Sequence, residues 1–447
     1  MTPRRAVGLA VLVAWAAVIL PRILAAAATP SQVPVYCVIC GDLSGVDALL
    51  NVLVFIPLGI GLRLAGLGLR GAVAAVATVT AAIELTQLVV LLGRVASVAD
   101  LVTNTAGGAA GALLASRPRA VLYPAPNIAD RLARRWALGW LGVLVATAWG
   151  YRPSLPRSNW YGQRAPTLAQ FDRFTGTLVS ASVGGVGLPD ARLTRSDEMR
   201  RRLLRDDTRV EATLIPGTPT ARAAPIASIF DDRQRQVVFL GQTGPDLMFE
   251  LRTVSAAAGF RTPVMVLPGV VANDRASARE PLRVAGWRSG WWMYASAEGR
   301  GLHEALAFPL RPTTGWSLIL PFEHIFWPQA VRFTMLWLGA LLLPAGYWMA
   351  SAALGHRERG RGRPAARTVI TIGAVLGVGL AALPIALDLP PSGASEWGGS
   401  FGGLAAGWIL AVLATLADRA AGRGAHRDVD GGAHGEPPDY IHEARPA

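Results

Sequence analysis

Polar side chains that could do chemistry stand inside stretches whose apolar length suits a membrane helix. Glu84 lies between A-V-A-A-V-A-T-V-T-A-A-I and L-T-Q-L-V-V-L-L. An ionisable side chain at the centre of a bilayer costs about 2.5–3.5 kcal/mol on insertion scales, and a helix that keeps one usually turns it toward a partner or a wet cavity. Glu84 is therefore the first candidate for binding or catalysis.

The polar residues around Glu84 have the spacing of a helical hairpin. Glu84 and Gln87 are three residues apart and share a helix face, and Asp100 and Asn104, which are four apart, share another. A turn between the two helices places both pairs at similar depth. The apolar stretch that begins near Asn51 also starts at the outer face of the membrane. The sequence therefore predicts one cluster that opens toward the outer leaflet, formed by Asn51, Glu84, Gln87, Arg94, Asp100 and Asn104.

This cluster allows several chemistries. A pocket of this kind can bind a lipid headgroup or a glycan-linked lipid. In an enzyme, Glu84 or Asp100 would act as general base while Arg94 held an anion; in a transporter, Glu84 would relay protons. The structural alternative is an interhelical network with Arg94 paired to Asp100. Such contacts average about 0.6 kcal/mol in membranes, which is small for so costly a set and favours function for Glu84.

The same segment resembles the VanZ-like family of small bacterial membrane proteins over about residues 48–115. Its first motif is matched by Asn51, Phe55, Pro57 and Gly59, and its E-x-x-Q motif by Glu84 and Gln87. The third motif, R-x5-D-x3-N-x2-GG-x2-G, is matched by Arg94, Asp100, Asn104, Gly107, Gly108 and Gly111. The resemblance implies an integral membrane protein with a link to glycopeptide-antibiotic tolerance. It does not imply an agreed reaction, so whether the protein is an enzyme stays open, and binding is preferred.

Composition agrees with a membrane location. Of the 447 residues, 52% are hydrophobic and only 16% are charged, which is typical of a multi-span protein. The 43 basic residues include no lysine, so a Schiff-base or Walker lysine is excluded. The arrangement of the +13 charge follows the positive-inside rule and does not suggest a nucleic-acid partner. The six histidines show no H-x-x-x-H spacing, and we expect neither a metal nor a cofactor.

Apolar runs predict about eight transmembrane helices. They lie near 6–28, 48–67, 72–92, 97–115, 136–152, 329–353, 368–388 and 398–417. The first run also fits a cleavable signal peptide, although we favour a retained helix. Arginines crowd alternate short loops, which places both termini in the cytoplasm of a bacterium and residues 153–328 outside its cytoplasmic (inner) membrane.

Residues 153–328 change character to short strand-like runs separated by turns, which predicts an all-β sandwich. The run from Ile226 to Thr253 is similar to the meander of concanavalin A-like, laminin-G-like jelly rolls, and G-W-S-L-I-L-P-F fits their final strand. Five tryptophans could stack on sugars or pack in the core or at the membrane: Trp287, Trp291, Trp292, Trp316 and Trp327. Asp231 and Asp232 could bind calcium, but a solvated turn is preferred.

Two cysteines, Cys37 and Cys40, form a C-x-x-C in a predicted outer loop. A disulfide is preferred over redox catalysis, because exported cysteines tend to be oxidised. The predicted fold class is thus a polytopic α-helical membrane protein with an inserted β-sandwich (jelly roll). Its predicted parts are VanZ-like helices in 1–117, a cytoplasmic linker and fifth helix in 118–152, the exported domain in 153–328, three helices in 329–418 and a disordered cytoplasmic tail in 419–447. The expected partners are the bilayer and an envelope glycan or lipid-linked ligand.

Overall fold

The computed structural model describes residues 2–23, 36–37, 43–90, 96–166, 171–271, 280–320, 329–358 and 363–430. Four helices form a first bundle: α1 (Pro3–Ile23), α2 (Ser44–Ala65), α3 (Leu69–Val89) and α4 (Val98–Ser116). Its core contains Trp15, Phe55 and Val76, and the Trp15 and Phe55 rings meet edge to face with centroids 5.3 Å apart. Two short strands, β1 (Tyr36–Cys37) and β2 (Ala96–Ser97), pair in parallel beside this bundle.

Glycines set the distance between α2 and α4. A Cβ atom on Gly107 or Gly111 of α4 would overlap the backbone carbonyl of Val52 or Ile56 on α2, and one on Gly59 would overlap that of Gly108. Small residues allow helix backbones to approach closely in membranes. The glycines of the third sequence motif are therefore packing residues.

A short helix, α5 (Pro118–Leu122), and the long helix α6 (Pro126–Gly150) lead into a β-rich domain. The described part of this domain has eleven strands: β3 (Trp160–Arg164), β4 (Thr177–Val183), β5 (Val186–Gly187), β6 (Val210–Ile215), β7 (Thr220–Asp231), β8 (Gln236–Gly244), β9 (Asp246–Leu251), β10 (Val264–Leu267), β11 (Leu282–Ser289), β12 (Trp292–Gly299) and β13 (Leu302–Pro309). Two small helices, α7 (Ser196–Leu203) and α8 (Val254–Ala257), join them.

The strands form two antiparallel sheets, ordered β10-β9-β8-β7-β3 and β13-β12-β11-β6-β4-β5. Alternate side chains of both sheets, such as Ile229, Phe249, Val284 and Ala295, fill one buried core between them. The predicted meander is confirmed as β7, β8 and β9, which are neighbours in sequence order. The β-rich character predicted for this region is therefore confirmed.

The predicted final strand is wrong at its start, because Pro312–Leu318 forms a 3-10 helix. This segment packs on the end of α6, where the buried Tyr151 hydroxyl donates to the Thr314 carbonyl at 2.8 Å. The Trp316 indole N–H donates to the Thr334 hydroxyl at 2.9 Å. Trp316 therefore packs on α9, while Leu318 joins the core of the sandwich.

A second bundle contains α6 and the C-terminal helices. These are α9 (Gln329–Glu358), α10 (Arg363–Gly377), a π-helical turn (Val378–Ala382), α11 (Leu383–Ala386) and α12 (Ala394–Asp430). Trp140, Leu144, Leu342 and Leu380 lie in its core. Residues 419–430, which were assigned to a tail, continue α12, in keeping with their alanine and arginine content.

Within the described residues, six helices are long and apolar enough to cross a membrane. They are α1, α2, α3, Ala330–Arg357 within α9, Ala366–Ala386 across α10 and α11, and Ala394–Arg419 within α12. The prediction of about eight spans is confirmed for these six. The other two predicted spans are helices as well, but α4 carries Asp100, Asn104 and several glycines, and α6 begins with three arginines.

The β-rich domain sits on one end of both bundles. The N–H groups of Gly45 and Val46, at the start of α2, both donate to the Gly259 carbonyl at 3.0 Å. The Arg311 guanidinium donates to Glu396, in the first turn of α12, at 2.6 Å. The starts of α2 and α12 and the end of α6 therefore lie on the same side.

The contact between α9 and α12 gives a sharp packing test. A Cβ atom on Gly403 would overlap the Gly339 carbonyl, whereas nothing lies within 4 Å of a Cβ on Gly402. We expect Gly403→Ala to destabilise the bundle by about 1–3 kcal/mol, the usual range for overpacking. Gly402→Ala should be neutral or slightly stabilising, because alanine is the better helix former. Thermal unfolding in detergent measures both, and equal midpoints would contradict this packing.

Candidate functional site

Three of the predicted site residues meet where α2, α3 and α4 lie under the β-rich domain. The Asn51 side-chain amide on α2 donates to Asp100 Oδ1 on α4 at 2.9 Å. The backbone N–H of Ser97 donates to Glu84 Oε2 on α3 at 2.7 Å. All three polar side chains are half-buried, so they can be reached from outside the bundle.

Ser97 holds this arrangement together. It is the N-cap of α4, and its hydroxyl accepts a hydrogen bond from the Asp100 N–H at 3.3 Å. It also belongs to β2, so the pairing of β2 with β1 fixes its backbone. One residue thus sets the positions of both carboxylates. We call Asn51, Glu84, Ser97 and Asp100 the polar cluster.

The other predicted site residues lie around the polar cluster or outside the described chain. Gln87 is buried and turns away toward α1, where its side-chain amide donates to the Ile23 carbonyl at 3.4 Å. Asn104 is only 4% exposed, and among the described residues its Oδ1 has no hydrogen-bond partner. Arg94 and Cys40 lie outside the described residues, so the anion-binding role and the disulfide stay predictions.

Two charged residues near the cluster were missed by the sequence reading. Asp47 lies close enough to Asp100 for their negative charges to repel each other, and Asp100 and Glu84 repel each other in the same way. The positive charge of Arg261, from the loop after α8, acts on Asp47. Asp47 could have been found, because it precedes Asn51 by one helical turn. Arg261 could not, because it belongs to a loop within the β-rich domain, far from Asp47 in the sequence.

A cavity of about 1040 Å³ lies beside Arg261, between the β-rich domain and the second bundle. We call it the interface cavity. Strands β10 and β13 form one wall, and the first residues of α9 and α12, including Val331 and Glu396, form another. None of the polar cluster residues lines it. No sequence signal marked this cavity, because its walls come from segments far apart in the chain.

The tryptophans occupy different environments. Trp287 is covered on one face by Tyr294, with ring centroids 5.0 Å apart, and Arg209 lies 4.4 Å from its centroid. It is therefore packed and does not offer an open face to a sugar. Trp292 and Trp316 line the interface cavity, and Trp291 packs against the sandwich core. Trp327 lies outside the described residues.

Asp231 is the last residue of β7, and its side chain is buried, so the expected solvated turn is wrong for this residue. Burial by itself raises the pKa of Asp231, but the hydrogen bonds from the Arg235 side chain and from backbone N–H groups outweigh it, so the pKa lies below its usual value. Both Asp231 oxygens are engaged, Oδ1 by the N–H groups of Arg233 and Arg235 and Oδ2 by the Arg235 guanidinium. Within the described part of the chain, no group of histidines, cysteines or acidic residues could hold a metal ion.

Comparison with known families gives a match for the N-terminal part of the chain. Residues 12–122 match the family model described as VanZ/LLP1. The chain carries a VanZ/LLP1 domain. This VanZ/LLP1 domain contains the whole polar cluster and α1 to α4, whereas the β-rich domain lies outside the match. Comparisons with curated proteins and with solved structures gave no match.

The contact between Asn51 and Asp100 can be measured by a double-mutant cycle. Asn51→Leu and Asp100→Leu should each lower thermal stability in detergent, with a coupling free energy on the order of 1 kcal/mol, as for interhelical hydrogen bonds. Asn51→Leu combined with Thr78→Val is the control pair, since Thr78 bonds only within α3 and should not couple. A coupling of zero between Asn51 and Asp100 would contradict the hydrogen bond.

Proposed function

We propose that the protein is an eight-span protein of the bacterial cytoplasmic membrane, with its β-rich domain outside and both termini inside. The packing of α4 and α6 among the membrane helices supports the count of eight spans. Helices α4 and α6 pack lengthwise against membrane helices, α4 against α2 and α3 and α6 against α9. If both cross, each connection joins two helix ends on the same side of the membrane, and residues 153–328 lie on the side of the starts of α2 and α12.

The charges at the far end of the bundles agree with this orientation. Arg63, at the end of α2, donates to the Ser116 hydroxyl at the end of α4 at 2.9 Å, and Arg4 donates to the Ala115 carbonyl at 3.4 Å. Arg131, Arg134 and Arg135 begin α6 on the same side. Short loops rich in arginine stay in the cytoplasm.

Cysteine labelling of intact cells tests the orientation, in a background in which Cys37 and Cys40 are replaced by serine. Val186→Cys on β5 and Leu122→Cys on α5 are matched, since the native side chains are 42% and 48% exposed. An impermeant maleimide should label position 186 in intact cells and position 122 only after lysis. The reverse pattern would overturn the orientation.

Within this arrangement, the polar cluster is proposed to bind the polar headgroup of lipid-linked envelope material. The observation that carries the proposal is the set of half-buried carboxylates under the β-rich domain. Glu84 and Asp100 each use one oxygen for a hydrogen bond within the described residues, so a second oxygen on each can accept from a ligand. Asp47 lies close to Asp100 and adds a third acidic group, and the positive charge of Arg261 acts on Asp47. A headgroup rich in hydrogen-bond donors fits this surface best.

The β-rich domain is proposed to be a concanavalin A-like jelly roll that shields this site or adds an envelope glycan contact. Its support is the two-sheet architecture with the β7–β8–β9 meander. The VanZ/LLP1 domain connects the proposal to glycopeptide-antibiotic tolerance through the resemblance of its motifs. Such a role would follow if the bound material were a cell-wall precursor.

The ligand test compares the lipids and glycans that co-purify with variants in equal amounts of folded protein. Glu84→Gln and Asp100→Asn each weaken a hydrogen bond to a charged group, so the bound material should fall by about tenfold or more. Asp388→Asn is the control, because Asp388 is an exposed carboxylate between α11 and α12. Unchanged material in all three variants would contradict headgroup binding at the cluster.

The same samples separate the alternatives. Turnover of a lipid headgroup that is lost in Glu84→Gln while binding persists would indicate an enzyme that uses Glu84 or Asp100. Proton-coupled flux in vesicles that is lost in the same variant would indicate a transporter.

A further inference from the structure

The interface cavity lies at the edge of the β-sandwich that β10 and β13 form. Leu306 of β13 lies opposite Ala295 of β12, which is fully buried in the sandwich core. Leu306 therefore points to the core side of its sheet, yet it is 43% exposed. Glu304 lies opposite the core residue Ala297, so it points the same way and is exposed too. The two sheets do not close over these side chains.

The edge strand of the other sheet, β10, lines the cavity as well. Met265 and Leu267 of β10 fill the core, so Val264 and Val266 point away from it and line the cavity. Both β10 and β13 end their sheets. Apolar side chains at an open sheet edge are normally covered or replaced by charges. Here an apolar wall of about one strand's length faces a cavity of about 1040 Å³.

The opposite wall places the cavity at the membrane surface. Ala330, Val331 and Thr334 of α9 line it, and Ala330 is the first residue of a membrane-capable helix. Trp292 and Trp316 line it as well, and tryptophan concentrates where hydrocarbon meets headgroups. The apolar wall is therefore continuous with the outer leaflet.

The polar groups of the cavity are already joined to one another. The Gln236 amide donates to Glu250 at 2.7 Å, and Glu396 accepts from Arg311 at 2.6 Å and from the Gly393 N–H at 2.7 Å. Arg311 and Glu396 form an ion pair, whereas Gln236 is a neutral partner for Glu250. The lining thus combines a hydrocarbon surface with a mixed polar rim, as binding sites for amphiphiles do.

From these observations we propose that the interface cavity binds one membrane amphiphile from the outer leaflet, with its hydrocarbon chain along β10 and β13. The amphiphile's headgroup lies toward Gln236, Glu250 and the Arg311–Glu396 pair. This site is independent of the headgroup proposal above, because the polar cluster lies outside the cavity. Only Arg261 belongs to the surroundings of both.

The test uses full-length protein in vesicles of phosphatidylethanolamine and phosphatidylglycerol. A trace of phosphatidylglycerol with a diazirine at the end of one acyl chain is photolysed, and the labelled peptides are mapped. We expect label on 264–267 or 302–309 in addition to the lipid-facing helices. Excess unlabelled phosphatidylglycerol should remove it, whereas glycerophosphate without a chain should not.

Leu306→Asp should reduce the labelling of these strands by roughly tenfold or more, because a carboxylate disfavours a hydrocarbon chain beside it. Val186→Asp is the control, since Val186 is 42% exposed on β5, at the opposite edge of the same sheet. Equal labelling in Leu306→Asp and wild type would overturn the proposal. So would label confined to the helices of the wild type, or competition by glycerophosphate, and these two outcomes hold even if Leu306→Asp fails to fold.

Discussion

Close backbone contact between α2 and α4 is the constraint on which the polar cluster depends. Within a bilayer no hydrophobic force drives helices together, so close packing and interhelical hydrogen bonds must do it. Gly107 and Gly111 let α4 approach the Val52 and Ile56 carbonyls, and at that distance Asn51 reaches Asp100. A larger side chain at either glycine would separate the helices and remove the hydrogen bond. The glycines of the third motif therefore set the distance between helices that the Asn51–Asp100 hydrogen bond requires.

The position of the β-rich domain follows from the same helix. The first N–H groups of a helix lack partners within it. At the start of α2, the Gly259 carbonyl satisfies two of them, and a Cβ atom on Gly45 or Gly259 would overlap the facing backbone. The Arg311–Glu396 pair anchors the domain a second time, on α12. Between these two anchors the edges of both sheets are held over the helix starts, and the interface cavity is the space that remains.

Sequence reasoning reached the parts of this arrangement that are encoded locally. Hydropathy predicted the helices and alternation predicted the β-rich region. The spacings of Glu84 with Gln87 and of Asp100 with Asn104 predicted a helical hairpin with its polar groups at similar depth. It failed where distant segments decide the structure. The 3-10 helix at Pro312–Leu318 follows from contacts with Tyr151 and Thr334, and neither is visible in its own apolar pattern. The interface cavity depends on strand order, which no local pattern gives. Gln87 was placed in the cluster by its helix face, but the end of α1 competes for its amide.

Arg261 gives the two parts of the molecule a physical connection. Its side chain lines the interface cavity, and its charge acts on Asp47, which in turn acts on Asp100 of the polar cluster. A charged group that enters the cavity beside Arg261 changes the field at Asp47, and a change of charge in the cluster alters the field at Arg261. Coupling between two binding sites is reciprocal by thermodynamic necessity. For the two proposed sites, this coupling would run through Arg261, because the contact of Gly259 with Gly45 and Val46 keeps its loop at the start of α2. The inserted β-rich domain thus places a positive charge, Arg261, near Asp47 of the VanZ/LLP1 domain.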